Sequence, residues 1–287
     1  TASATPTLYA MWSEPKTIAN ATYMQEVGSC PDTLTTGQVY SLKDSRDEQS
    51  YNVAKLADGK CWMITNLNLA GGTVLSSDKS DVPSTNYYTL PASTTISSGT
   101  AVQSGQFSSD YTAYVFNTGN NTTTCNSSTP CNSYYSWLAA TAGGKNSSGS
   151  SVTTNGYNAA YSICPKGWRL PTSTTSNAIA TTSSNWKTGD WYALATAYGA
   201  NLESSYYNNS DTNFYNNAGP GTTPNFLLAG LYFEGSFNDG GSYGYYWSST
   251  AYSSATAYFL NFKSGRVYSA NSSYRRYGLS VRCVHGE

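Results

Sequence analysis

Toward the end of the chain, apolar residues recur at fixed places in an otherwise polar stretch. Trp247, Phe259, Leu260, Phe262, Val267, Leu279, Val281 and Cys283 form a frame whose spacing predicts short strands, with a turn at Ser264-Gly265. Near the start, Tyr51 to Leu56, an Asp58-Gly59 turn and Cys61 to Ile64 predict a hairpin. Helical pattern is confined to Ser173 to Ala180 or beyond, entered from Pro171, and to Asp190 to Tyr198 with Asp190 as N-cap. Polar stretches at Gly71 to Ser109, Gly143 to Asn158 and Ser204 to Thr223 read as long loops. Within the last, Tyr206-Tyr207 and Asn213 to Asn216 either extend an exposed face or are solvated insertions. The expected class is α+β, with small antiparallel sheets, little helix and long irregular loops.

Composition narrows the function. Charged residues make up 11% of 287 residues and the net charge is -1, so the surface carries no field that would draw a polyanion, and nucleic acid is not an expected partner. No apolar run approaches the roughly 18 residues of a membrane helix, so no membrane insertion is expected. Thr1 to Thr7 lacks the basic start and apolar stretch of a secretory signal, which reads as a mature piece of something longer. The sole histidine, His285, reads as a solvated tail residue. Asp44, Asp47, Asp58, Glu234 and Asp239 are scattered near expected turns, with no pair placed for acid and base work, so the chain is not expected to be an enzyme.

Several motifs occur in order. Asp44-Ser-Arg-Asp47 leads into the first hairpin and Cys61-Trp-Met63 closes it; then follow Tyr135-Ser-Trp-Leu-Ala-Ala140, Ile163-Cys-Pro-Lys-Gly-Trp-Arg-Leu-Pro171, Tyr246-Trp-Ser-Ser-Thr250 and Gly278-Leu-Ser-Val-Arg-Cys283. Together they resemble the Fibrobacter succinogenes major paralogous domain over residues 43 to 283. Gly167-Trp-Arg-Leu-Pro-Thr172 is also similar to the helix entry of formylglycine-generating-type domains, which implies a C-type lectin fold. The reactive cysteine pair of those enzymes is not evident. The Glu-Pro-Asn, Gln-Pro-Asp and Trp-Asn-Asp signatures of calcium-dependent lectins are absent, although a structural calcium held by carbonyls and a few Asp is admitted. Ahead of this domain, Thr5 to Trp12 resembles the last strand of a bacterial surface repeat, which divides the chain into a lead-in at 1–12 and a domain at 13–287.

With that fold in view, proximity suggests pairing Cys30 with Cys61, Cys125 with Cys131 and Cys164 with Cys283. Six cysteines allow fifteen full pairings, and buried thiols are the alternative. Disulfides imply an oxidising compartment, hence an extracellular or cell-surface location.

Between the apolar anchors sit Tyr252, Ser253, Tyr258, Asn261, Tyr268, Ser269, Asn271, Ser272, Ser273, Tyr274, Arg276 and Tyr277. This palette resembles a paratope, where tyrosine supplies stiff amphipathic contact area and Ser and Asn supply adaptable hydrogen bonds. Replaceable polar positions in a fixed frame, ending in Gly-x-Ser-Val-Arg-Cys, resemble the variable proteins of diversity-generating retroelements. The resemblance implies a variable region at about 243–284 that binds a protein or glycan on another cell or a virus. A fixed carbohydrate-binding or adhesion domain is the alternative. Trp62, Trp137, Trp168 and Trp247 are assigned to the core.

Overall fold

A computed structural model describes residues 15–85, 87–95, 109–110, 112–117, 133–174, 185–233 and 236–286. The lead-in at 1–12, the Cys125/Cys131 pair, Glu234 and most of the helix expected from Ser173 lie outside the described residues. In chain order the strands are β1 (Val39–Lys43), β2 (Ser50–Lys55), β3 (Cys61–Met63), β4 (Val74–Leu75), β5 (Tyr88–Thr89), β6 (Ser93–Thr95), β7 (Val115–Asn117) and β8 (Ser133–Tyr135). They continue as β9 (Trp168–Arg169), β10 (Tyr207–Asn208), β11 (Leu231–Phe233), β12 (Ser236–Asn238), β13 (Gly244–Ala251), β14 (Thr256–Lys263), β15 (Arg266–Tyr274) and β16 (Val284–His285). Among the described residues three short α-helices, α1 (Trp137–Ala140), α2 (Asp190–Ala197) and α3 (Asn213–Ala218), accompany these strands in an α+β fold.

Two sheets organise the molecule. One has the order β1-β2-β3-β16-β9 and the other β10-β15-β14-β13. Both expected hairpins form, and Gly265, at φ 84°, makes the β14–β15 turn in a conformation that costs glycine little. The frame residues are buried, as are Trp62, Trp137, Trp168 and Trp247. One core packs Trp137, Trp168, Trp247 and Leu279; the second packs Trp62, Trp191, Tyr246, Phe262 and Val267 beneath α2 and α3.

The C-terminal segment joins these parts. Gly278 exchanges backbone hydrogen bonds with Tyr232 of β11, and Leu279 with Tyr135 of β8. Ser280 donates to Tyr245 O and accepts from Trp247 N, which ties the segment to β13. Val281 O accepts from Leu67 N and Cys283 O from Met63 N, while Val284 pairs with both Trp62 and Arg169. Cys283 is disulfide-bonded to Cys164, and Cys30 to Cys61. Gly278 is required by space, since a Cβ there would sit 2.6 Å from the Phe116 ring.

Three expectations are corrected. His285 is buried in β16, its Nε2 3.1 Å from Val27 O and its ring edge-on to Trp168, because β16 is the inner strand between β3 and β9. Asp190 is the first residue of α2 and Gly189 is its cap. The Asp190 carboxylate instead binds Lys60 and Arg169, each at 2.6 Å, and accepts from Thr172 N. Burial opposes its ionisation, but the Arg169 guanidinium and the Lys60 ammonium outweigh that cost and hold the carboxyl well below the usual range. The polar stretch at Ser204 to Thr223 is no plain loop, since it contains β10 and α3, with Phe214 buried.

Buried charge is tightly used. Arg282 lies fully buried, donating through Nε to Asn66 Oδ1 at 2.8 Å and through a terminal nitrogen to Pro224 O at 2.7 Å, with its guanidinium 4.5 Å from the Phe226 ring. Burial lowers its pKa to about 10, so it remains charged at neutral pH. Arg282→Met strands these acceptors and is expected to cost about 3 kcal/mol, read as a lower urea midpoint at unchanged slope.

Burial pushes Asp58 and Asp81 up to about 6. A raised carboxyl keeps its proton in the folded state over a range where the unfolded chain has released it, so stability falls as pH rises from about 3.8 through about 6. Asp58→Asn keeps an acceptor for the Trp62 indole, which lies 2.9 Å from the carboxylate, and should lessen that fall. An unchanged pH slope would contradict the assignment.

Candidate functional site

Strand periodicity sorts the predicted residues onto two faces, because cross-strand partners share a face and successive residues alternate. On the inner face, Tyr246, Leu260, Phe262 and Val267 meet the helices. The other face holds a continuous cross-strand row: Tyr245 of β13 lies opposite Asn261 of β14, which lies opposite Tyr268 of β15, which lies opposite Tyr207 of β10. Beside it Lys263 faces Arg266 across the turn, and Phe259 faces Asn271. This outer face runs from the main core at Trp247 out to solvent at Tyr207, which is 41% exposed.

Rings and cations pack along the row. Tyr207 stacks on Tyr268 with centroids 5.2 Å apart, and Tyr243 on Tyr245 at 5.7 Å. Between these pairs the Arg266 guanidinium lies 5.1 Å from the Tyr243 ring and 5.0 Å from the Tyr268 ring. Lys263 Nζ is 4.9 Å from the Tyr243 ring. Tyr268 Oη donates to Asn209 Oδ1 at 2.6 Å and Tyr245 Oη to Asp239 Oδ2 at 2.6 Å, which fixes both rings. Burial, reinforced by Asp239, raises the Tyr245 phenol.

Where this face turns inward, a cleft of about 350 Å³ opens between β14–β15 and the β11–β12 hairpin. Its walls include Phe233, Asp239, Tyr245, Phe259, Ser273 and Tyr277. Tyr277 packs edge-on against Phe233 at 4.7 Å and against Tyr274 at 5.5 Å. Arg276 covers Tyr274, with its guanidinium 4.1 Å from that ring, and pairs with Asp110 at 3.0 Å. A second concavity of about 470 Å³, walled by Tyr87, Tyr88, Lys145 and Tyr161, gathers none of the predicted residues.

The predicted set is therefore divided. Tyr268, Asn271 and Ser273 share the outer face, Tyr277 closes its inner end at the cleft, and Tyr274 and Arg276 pack at the rim beside Tyr277. Tyr258 and Ser272 pair on the opposite face, where Tyr258 Oη donates to Asn155 Oδ1 at 3.0 Å and its ring meets Tyr252. Ser253 is bound into the β13–β14 turn through Thr256. Tyr252 and Tyr274, both 44% exposed, point to solvent, and Ser272 is exposed.

Full exposure of the set is corrected at Asn261, Ser269, Tyr258 and Tyr277, which are 1%, 1%, 5% and 8% exposed. Asn261 lies between the flanking tyrosines and donates to Gly244 O. Ser269 sits in an irregular stretch of the β14–β15 pairing, and its hydroxyl and N–H both point to Tyr206 O. Sequence reading missed Tyr243, Tyr245, Lys263, Arg266 and Asp239. The period-2 alternation of the last strands, continued through Lys263 and Arg266, is the signal that would have found most of them.

Asp44, Asp58 and Asp239 each hold a structural contact. Asp44 pairs with Arg46, whose guanidinium also reaches Ile163 O at 2.7 Å; Asp58 holds the Trp62 indole and Asp239 holds Tyr245. Among the described residues, no group of three or more His, Cys, Asp or Glu is gathered for a metal, and no helix is long and apolar enough to cross a membrane.

Burial separates scaffold from surface. Tyr258→Ala and Tyr277→Ala are each expected to cost about 3 kcal/mol of stability. Tyr268→Ala should cost about 1 kcal/mol or less, since only a stacked, half-open ring is lost. Equal losses in chemical denaturation would contradict this division.

Comparison with known families matches residues 57–285 to the Fibrobacter succinogenes major domain. No curated protein and no solved structure matches the chain.

Proposed function

The chain belongs to the Fibrobacter succinogenes major domain family, and from that membership and the geometry of the outer face we propose a non-enzymatic, ligand-binding surface domain. The observation that carries the reading is the row Tyr245, Asn261, Tyr268 and Tyr207, set edge to edge across four strands beside the cleft. Tyrosine there offers wide, stiff contact area at small entropic cost, and a sheet anchored on both cores holds it in place. The ligand is a protein or glycan on another cell or a virus. The two disulfides of the described residues favour an extracellular or cell-surface setting.

The finer reading is that of a diversified binding protein of a retroelement on a C-type lectin fold. The placement of β16 beside β3, which brings the last strand into the sheet of the first ones, supports that fold. Burial narrows the replaceable positions, because Tyr258, Asn261, Ser269 and Tyr277 sit where few side chains fit.

The test is a search of the encoding DNA for an adenine-rich near-copy of the codons for residues 243–284 beside a reverse transcriptase gene. Mismatched codons are expected at Tyr268, Asn271, Ser272, Ser273, Tyr274 and Arg276 and at the turn residues Tyr252 and Ser253, with the four buried positions unchanged. Absence of any near-copy would overturn the diversified reading and leave a fixed glycan-binding domain.

A further inference from the structure

We propose that the outer face recognises an acidic saccharide, whose carboxylate or sulfate group seats between Lys263 and Arg266. The inference rests on the reading of that face as a ligand surface and adds the chemistry of the ligand. Lys263 and Arg266 are directly opposed at the mouth of the β14–β15 turn. Like charges so placed repel, and a fold that needs only a turn gains nothing from them. Among the described residues neither makes an ion pair or a side-chain hydrogen bond, whereas Arg46, Arg169 and Arg276 each hold a carboxylate.

What surrounds the two cations is aromatic. The Tyr243 ring lies within 5.1 Å of both charged groups and Tyr268 within 5.0 Å of the guanidinium. Ring faces stabilise a cation without neutralising it, and Arg266 Nε is buried with no acceptor. The terminal fork of such an arginine is already oriented, and its geometry matches a carboxylate or an oxyanion ester.

The row beside the cations selects the rest of the ligand. Tyr207 and Tyr268 present stacked ring surface, Tyr245 lines the adjoining cleft, and Asn271 adds an amide, a combination suited to the C–H faces and hydroxyls of sugar rings. An extended peptide would dock by adding a strand, but at one end of this row β13 is already paired and at the other the edge strand β10 spans only Tyr207 and Asn208, too short a template for a peptide ladder. β10 covers β15 at Val267 and Tyr268, and Ser280 binds β13 at Tyr245 and Trp247.

The test is isothermal titration of the full chain with oligogalacturonate, its fully methyl-esterified form, a heparin oligosaccharide and polyglutamate. One or both acidic saccharides are expected to bind; oligogalacturonate binding shows that a carboxylate suffices, and heparin binding without it identifies sulfate. For the saccharide that binds, Lys263→Gln or Arg266→Gln should weaken affinity about tenfold or more, while Lys263→Arg retains it and melting temperature holds or rises. Failure of both acidic saccharides to bind, equal binding of the esterified form, or polyglutamate binding as tightly would overturn the proposal. If the esterified form binds equally and Tyr268→Ala abolishes it, only the anion inference fails and the binding face stands. If acidic saccharide binding survives Tyr268→Ala and both cation substitutions, the face itself is not the site.

Discussion

Everything in this fold is fastened to one stretch of backbone. Between Gly278 and His285 the chain bonds to β8, β11 and β13 and then enters the first sheet as an inner strand. Apolar side chains alternate with Ser280 and Arg282, and all of them are buried. A backbone buried this completely draws its hydrogen-bond partners from within the protein, and Gly278, Leu279 and Ser280 each exchange bonds with a different, otherwise separate sheet. The sheets that contain β3, β8, β11 and β13 are tied together because each is hydrogen-bonded to the same segment. The Cys164–Cys283 disulfide adds a covalent tie to the middle of the chain.

The same segment sets up the outer face. By pairing with β13 it fixes the edge of the four-stranded sheet, and by pairing with Tyr232 it brings the β11–β12 hairpin against β14 and β15. The cleft is the gap left between these elements. Inner residues such as Tyr246 and Phe262 anchor the sheet on one side and Trp247 on the other, so the outward tyrosines change places only at the cost of the core.

With only 11% charged residues, the chain places much of its charge inside. Arg46 bridges Asp44 to the Cys164 region, Arg282 holds Pro224, and Arg275 lies with its guanidinium 4.0 Å from the Trp137 ring. Each is a long side chain closing a loop onto a core, where carbonyl acceptors replace water. Lys263 and Arg266 stand outside this pattern, held against aromatic rings rather than against carboxylates.

Local pattern carried a good deal. The strands around Trp247 to Val267, the turn at Ser264-Gly265 and the tryptophan core were legible because apolar spacing and turn chemistry act over a few residues, while the α+β class and the Cys30–Cys61 and Cys164–Cys283 pairs followed from the fold that the family resemblance implies. The ordered motifs also placed the chain in its family. Which tyrosines share a surface was decided only by pairing register, including the irregular stretch between Phe259 and Asn261. Register joined Tyr207 to Tyr268 across a gap of some sixty residues, sent Tyr258 to the opposite face and buried Asn261 and His285. Such contacts depend on hydrogen bonds between strands remote in sequence, and a one-residue slip reverses every face, so residue type alone does not specify them.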